Sequence, residues 1–436
     1  MRSKIENRPG LTKILDNIGW LFFDKILRMG VGLLVGVWVA RYLGPKQFGL
    51  LNFALAFVGL FGAIATLGLQ GIIVRDIVKK PEESNVILGT GFFLRVVGGL
   101  VAFVLILVVI SYLRPDDTLA KAIVAILGFT QIIKASEVVK YWFESQVQSK
   151  FVVWVENSVF LIIAVAKVVM ILLHAPLIAF VWAAFAEALL VAALLLTVYG
   201  QKIESLLSWK PRFSRAQTLL RDSWPLILSG IAVAVYMQID KIMLGQMVDD
   251  QAVGIYSAAV KISEVWYFIP MTIVASVFPA IIEAKKQSEK LYYQRLQKLY
   301  DLMTFMAIAV ALPMTFLSTW VVELLFGHAF VQAGTVLAIH IWAALFVFLG
   351  VASSKWFLTE NRQLLSLQRT LLGAVVNVAL NLIVIPEFGV IGAAFTTVIS
   401  QALASMFFDL LQKDTKRMFR MKIDSFNFFR IIKSVL

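Results

Sequence analysis

Apolar stretches long enough to cross a bilayer, separated by short polar or basic connectors, recur along the whole chain. A helix needs about 20 mostly apolar residues to cross roughly 30 Å of hydrocarbon. Twelve stretches meet that length: 17–40, 48–72, 87–112, 120–143, 152–173, 177–198, 224–246, 252–280, 300–325, 332–357, 364–385 and 389–411. The pattern predicts an all-α integral membrane protein of twelve transmembrane helices. Pro225 is expected in the first turn of its helix, whereas Pro270, Pro279 and Pro313 are expected to kink or end theirs.

The connector at 40–50 reads as the tight turn of a helical hairpin, because Gly44-Pro45 stops one helix and starts another. It has an echo 205 positions on, where Gly49-Leu50 falls over Gly254-Ile255 with like residues on either side. A second echo, offset by 210, sets Pro176 and Ala183-Ala184-Phe185 over Pro386 and Ala393-Ala394-Phe395. Two echoes at nearly one offset predict a duplicated half. The expected organisation is a six-helix bundle at 1–199, a cytoplasmic linker at 200–223, a second six-helix bundle at 224–412 and a tail at 413–436. Six is even, so the halves share one orientation and are related by an axis along the membrane normal. The tail alternates basic residues with Met418, Phe419, Met421, Phe426, Phe428, Phe429 and Ile432, which predicts a helix lying on the membrane surface.

Composition agrees with this class: 60% hydrophobic and 15% charged residues, with a mean hydropathy of +0.84, exclude an ordinary soluble protein. The polar, basic first residues and the length of the first apolar run predict no cleavable signal. Cysteine is absent, which excludes disulfides and thiolate chemistry. Basic residues crowd into alternate connectors, at Arg2, Lys4, Arg8, Lys13, Arg75, Lys79, Lys80 and Lys150, then Lys202, Lys210, Arg212, Arg215 and Arg221. Lys285, Lys286, Lys290, Arg295, Lys298, Arg362, Arg369 and the tail continue the series, while the other side has only Arg41, Lys46, Arg114 and Lys121. This asymmetry predicts cytoplasmic termini. It also accounts for the net charge of +13 through anionic lipid headgroups, without nucleic acid.

The chemistry is expected in charges inside the spans: Lys25, Arg28, Arg95, Lys134, Lys140, Lys167, Lys241, Lys261 and Lys355 against Asp24, Glu137, Glu156, Glu187, Asp240, Glu264 and Glu323. A charge facing lipid at mid-membrane costs roughly 2.5–3.5 kcal/mol even on the mildest scale, so these residues must face protein or a wet cavity. Asp24 with Arg28, Lys134 with Glu137 and Lys261 with Glu264 have the spacing of intrahelical pairs. Arg95 and Lys167 have no such partner in their own helices.

The string Arg41-Tyr42-Leu43-Gly44-Pro45, then Phe48-Gly49, Leu67-Gly68-Leu69 and Val74-Arg75-Asp76, resembles the first hairpin of the polysaccharide-transporter family. These are the Wzx-type oligosaccharide flippases of the multidrug/oligosaccharidyl-lipid/polysaccharide exporter (MOP) superfamily. Ile239-Asp240-Lys241-Ile242, Gly254-Ile255-Tyr256 and Pro386-Glu387-Phe388-Gly389 extend the similarity through both halves. The resemblance implies a MATE-like V of two bundles around a central cavity. It implies a bacterial inner-membrane flippase that moves an undecaprenyl-diphosphate-linked oligosaccharide, for O-antigen, capsule or exopolysaccharide, to the periplasmic leaflet. A polysaccharide polymerase and a chain-length regulator are the implied protein partners.

On that reading Lys25, Arg28, Arg95, Lys134, Lys167 and Lys261 are the candidate cations for the diphosphate, since basic side chains match phosphate oxygens. No Walker-type phosphate loop is present, so the expected energy source is Na+ or H+ acting at Asp240, Glu264, Glu187 or Glu156. No other cofactor and no metal are expected. Two alternatives stand beside this one. A drug or cation antiporter would line its cavity with acids and aromatics, and a membrane glycan polymerase or transferase would need catalytic groups in sizeable external loops. Connectors such as 113–119 and 247–251 are too short for the latter, and His174, His328 and His340 form no catalytic pattern. The protein is not expected to be an enzyme.

Overall fold

The computed structural model describes residues 9–203 and 205–427, which contain no strand. The helices are α1 (Pro9–Leu60), α2 (Gly62–Thr66), α3 (Leu69–Lys79), α4 (Ser84–Leu113), α5 (Thr118–Ile133), α6 (Val138–Ser145), α7 (Lys150–Leu172) and α8 (Leu177–Lys202). There follow α9 (Phe213–Met247), α10 (Asp250–Val265), α11 (Phe268–Gln287), α12 (Glu289–Phe326), α13 (Gln332–His340), α14 (Ala343–Thr359), α15 (Gln363–Ser405) and α16 (Lys416–Asp424).

Ten helical segments among the described residues are long and apolar enough to cross a membrane. Two of them, Gly19–Leu60 and Gln363–Leu410, are each double length and are broken by glycines outside helical geometry: Gly44 (φ 70°) and Gly389 (φ 52°). Each therefore supplies two spans, which gives the twelve expected. Both breaks need a positive φ that a side chain resists; Gly44 directly precedes Pro45, and Gly389 follows Pro386 by three residues.

Several spans are interrupted. The second breaks at Phe61 and again at Leu67-Gly68, while the eighth breaks at Trp266-Tyr267. The fourth tightens into a 3-10 turn at Lys134–Glu137, and the tenth breaks at Ile341-Trp342. Phe61 and Trp266 are separated by the 205 residues that separate Gly49 from Gly254, so the backbone irregularities repeat with the sequence. Pro225 differs from expectation, sitting well inside α9 rather than in its first turn, while Pro279 and Pro313 lie inside α11 and α12, which continue past them.

The chain forms two compact units. Unit 1 comprises 1–43 and 54–234, and unit 2 comprises 44–53 and 235–436. These limits differ from the sequence-based ones because the connector and the first half of α9 pack on unit 1. There Lys210 N donates to Asn85 O (3.2 Å), Arg212 N to the Thr90 hydroxyl (3.1 Å) and Arg215 to Asp76 (2.6 Å). Arg75 bridges Asp76 and Asp222, and these hydrogen bonds hold its guanidinium above the usual arginine range. In unit 2 the two echo glycines meet: a Cβ on Gly49 would lie 1.6 Å from Asp250 O, and one on Gly254 would lie 2.0 Å from Pro45 O. Backbone rests on backbone there, and only glycine allows that approach.

The tail departs from the membrane-surface expectation as far as it is described. Helix α16 packs into unit 2 through Met418 and Met421, and Lys422 is fully buried, donating to Ser405 O and to Asp409 Oδ2 (2.7 Å). Burial lowers the Lys422 pKa. Arg417 stacks on the Tyr293 ring at 3.3 Å. An ion pair across the helix ends has captured a residue that its spacing assigned to water. Arg2, Lys4, Arg8 and the tail from 428 lie outside the described residues.

Candidate functional site

In unit 1 three helical segments end or break around one cavity of about 530 Å³. One wall is the broken second span, where Leu67 (φ 52°) and Gly68 (φ 61°) are consecutive left-handed residues, and Thr66, Gly68 and Gln70 face the space. The opposite wall is the turn between α6 and α7, where Val147 is also left-handed (φ 54°) between the cavity residues Glu144 and Ser149. A β-branched residue there costs on the order of 1–3 kcal/mol, and such strain gathers at binding sites. Irregular backbone at membrane depth is tolerated where it lines a cavity.

The cavity is bordered by a chain of interlocked charges drawn from five segments. Arg28 on α1 donates from Nε to Asp24 (2.7 Å) and from Nη2 to Glu156 on α7 (3.2 Å), with its guanidinium over the Phe160 ring. Glu156 also binds Lys140 on α6, which reaches back to Glu137 (3.0 Å). Glu137 takes Arg95 Nη2 (2.8 Å) from α4, and Arg95 donates further to Lys134 O (2.7 Å) and to the Tyr141 hydroxyl. Three cations thus alternate with three carboxylates. Arg95 is only 1% exposed, yet its Nε has no hydrogen-bond partner among the described residues.

The expected cationic patch is therefore a neutral lattice. Arg95, unpaired in its own helix, finds Glu137 across the bundle. Lys134 does not form the expected pair with Glu137: the 3-10 turn leaves its side chain exposed, and Lys140 takes the place. Lys25 is exposed on α1. Lys167 sits between α7 and α8 at 3.8 Å from Glu187, outside the cavity, and Lys261 lies on α10 in unit 2. The six candidate cations are not one site. Sequence reasoning passed over Tyr141, Gln70 and Glu144, and it named Lys140 among the charges inside the spans without pairing it to Glu137, although the spacing of three was there to be read.

The four candidate coupling acids separate likewise. Glu156 belongs to the lattice and Glu187 to Lys167. Glu264 is half-buried on α10. Asp240 on α9 is different: it is 7% exposed and has no cation at ion-pair distance among the described residues. Its neighbour Lys241 turns to Gln238 instead (3.2 Å). Asp240 is held by neutral donors: Tyr256 OH (2.7 Å) and Thr397 Oγ1 (2.7 Å) to Oδ2, and Asn381 Nδ2 (2.6 Å) to Oδ1. Asn381 also donates to Asn377 Oδ1 (3.2 Å). A buried carboxylate held by two hydroxyls and a carboxamide, with no fixed countercharge among the described residues, has the oxygen chemistry that suits a small hard cation.

Known proteins resemble this chain over most of its length. It is 22% identical to the probable low-salt glycan biosynthesis flippase Agl15 of Haloferax volcanii, over 88% of this chain and 80% of that one. It is 19% identical to the capsular polysaccharide biosynthesis protein CapF of Staphylococcus aureus, over 90% and 97%. Among solved structures, an inward-facing multidrug resistance MATE family transporter of the MOP superfamily superposes with a TM-score of 0.73 at 14% identity, covering 90% of this chain and 96% of that one. The lipid II flippase MurJ, inward closed, gives 0.66 at 14%, covering 94% and 91%. These likenesses establish the fold as MATE-like. The MatE family model matches residues 225–383. The model of the polysaccharide biosynthesis protein family matches residues 14–285, well over half of the chain, and the protein belongs to that family.

Proposed function

We propose that this multi-pass membrane protein flips a polyprenyl-diphosphate-linked oligosaccharide from the cytoplasmic leaflet to the opposite one, with Arg28, Arg95 and Lys140 holding the diphosphate. One observation carries the reading: a charged cavity beside a broken span, lined by Glu137 and Glu156, the two carboxylates that hold Arg95, Lys140 and Arg28 and that a phosphate oxygen can replace. Phosphate enters by exchange. Its oxygens take the place of Glu156 on Arg28 and Lys140, or of Glu137 on Arg95 and Lys140, so that no buried cation is left uncompensated. The Arg95 Nε, without a partner among the described residues, supplies a further donor for the substrate. Lys134, whose carbonyl fixes Arg95, stands at the outer edge; Lys25, Lys167 and Lys261 are assigned no phosphate contact.

On the positive-inside rule the sugar-bearing end faces the cytoplasm, since Ser149, which lines the cavity, adjoins Lys150 in one of the basic connectors. Relatives named for glycan and capsule synthesis support a glycan cargo. In a bacterium the carrier would be undecaprenyl diphosphate in the inner membrane, and the protein would act by alternating access, without bond-making chemistry. Asp240, with Asn377, Asn381 and Thr397, is the proposed coupling site for H+ or Na+.

The test is reconstitution in liposomes with a fluorescent polyprenyl-diphosphate oligosaccharide in one leaflet. Protein-dependent movement that responds to a proton or sodium gradient is expected. No movement under any gradient, with folded protein, would sink the proposal.

A further inference from the structure

At the mouth of the same cavity, beyond the ion-paired floor, lies a polar pair that the diphosphate does not use. Gln70, two residues past the break at Gly68, donates from Nε2 to Glu144 Oε2 at 3.1 Å, and both side chains are exposed and line the cavity. Neither makes an ion pair among the described residues. Gln70 stands in the first turn of α3 just past the strained Leu67-Gly68 break, and Glu144 in the last turn of α6 just before the strained Val147, so they come from two separate helices rather than one shared helix face. A carboxylate beside a carboxamide offers acceptors and donors together, which is the complement of neighbouring sugar hydroxyls and not of phosphate. The order from floor to mouth, ion-paired cations first and then a carboxylate and a carboxamide outside the ion pairs, matches a lipid-linked glycan read from its diphosphate outward.

We infer that Gln70 and Glu144 form a sugar-reading subsite that contacts the hydroxyls of the first sugar, so that they set which glycan is accepted. The inference rests on the proposal that the cavity floor takes the diphosphate. Three probes of equal lipid length separate the two ideas: polyprenyl diphosphate, the same lipid carrying one hexose, and the same lipid carrying one N-acetylhexosamine. Affinities are measured in nanodiscs for the wild type, Gln70→Ala, Glu144→Gln, Arg95→Gln and Lys140→Ala.

The wild type should bind at least one sugar-bearing probe about tenfold more tightly than the bare lipid, the size of a lost hydrogen bond to a charged group. Gln70→Ala and Glu144→Gln should each remove that preference and leave bare-lipid affinity within about twofold of wild type on the same basis. Both residues are exposed, and a melting curve for each variant checks that it is folded; Gln70→Glu, which keeps the side chain's length, is the second variant at that position and should also remove the preference. A wild type without sugar preference, or variants that keep it, would overturn the subsite. Arg95→Gln and Lys140→Ala should weaken all three probes. If they weaken none, the diphosphate reading fails, whatever the first two variants show.

Discussion

Replacing Glu137 by Gln is the sharpest perturbation of the lattice, because it removes one charge and almost no volume. Glu137 takes Arg95 at 2.8 Å and Lys140 at 3.0 Å, and its side chain is 25% exposed. Removing one partner of a fully buried pair costs roughly 3–5 kcal/mol. Here Lys140 keeps Glu156 and Arg95 keeps Tyr141 and Lys134 O, and water reaches the carboxylate, so a cost of about 2 kcal/mol is expected. The same change leaves three cations against two carboxylates. A phosphate about 5 Å from the lost charge gains, at an effective dielectric of 20, roughly 3 kcal/mol, which solvent screening reduces to about 1.5, or about tenfold in affinity. Glu137→Gln should therefore melt earlier than wild type yet bind polyprenyl diphosphate about tenfold more tightly. Thermal unfolding and equilibrium binding in nanodiscs measure the two effects on one sample. Weaker or unchanged phosphate binding by a folded Glu137→Gln protein would refute the exchange of carboxylate for phosphate.

Other consequences follow from the same geometry. Asp240→Asn should keep substrate affinity but abolish the response of flipping to a proton or sodium gradient; a full gradient response in proteoliposomes would remove Asp240 from coupling. Gly49→Ala forces a Cβ to 1.6 Å from Asp250 O and should sharply reduce folded yield, whereas Gly62→Ala, with open space around its Cβ, should be tolerated, as fluorescence size-exclusion chromatography would report. Lys422→Met strands Asp409 in the interior and should cost about 3–5 kcal/mol, while Lys422→Met with Asp409→Leu should recover much of it in a melting-temperature comparison, since apolar replacement of both partners of a buried pair is often near neutral.

The spans were legible because hydropathy over 20 residues depends on nothing beyond the chain itself. The breaks within them were less so: Leu67-Gly68 reads as a helix with one glycine, and a left-handed leucine is imposed by packing rather than by propensity. Glycine and proline at Gly44-Pro45 did announce the first hairpin. The charged residues could be named from sequence, but their partners could not. Arg95 and Glu137 are 42 positions apart and Arg28 and Glu156 are 128 apart, and only the fold brings them together. The spacing rule for helices paired Lys134 with Glu137, and a 3-10 turn at those residues undid it. Asp240 stood out as an acid in an apolar run, yet its donors Asn381 and Thr397 lie 141 and 157 residues away. Lys422 shows the converse error, a basic residue in an amphipathic pattern drawn inside by Asp409.

The account turns on where the phosphates sit. A structure of the protein in nanodiscs with a polyprenyl-diphosphate oligosaccharide bound measures this directly. The predicted result places phosphate oxygens within hydrogen-bonding distance of Arg28, Arg95 or Lys140, with Glu156 or Glu137 displaced from its cation. A headgroup bound elsewhere, with the bridges from Asp24 through Arg28, Glu156, Lys140 and Glu137 to Arg95 all intact, would contradict it.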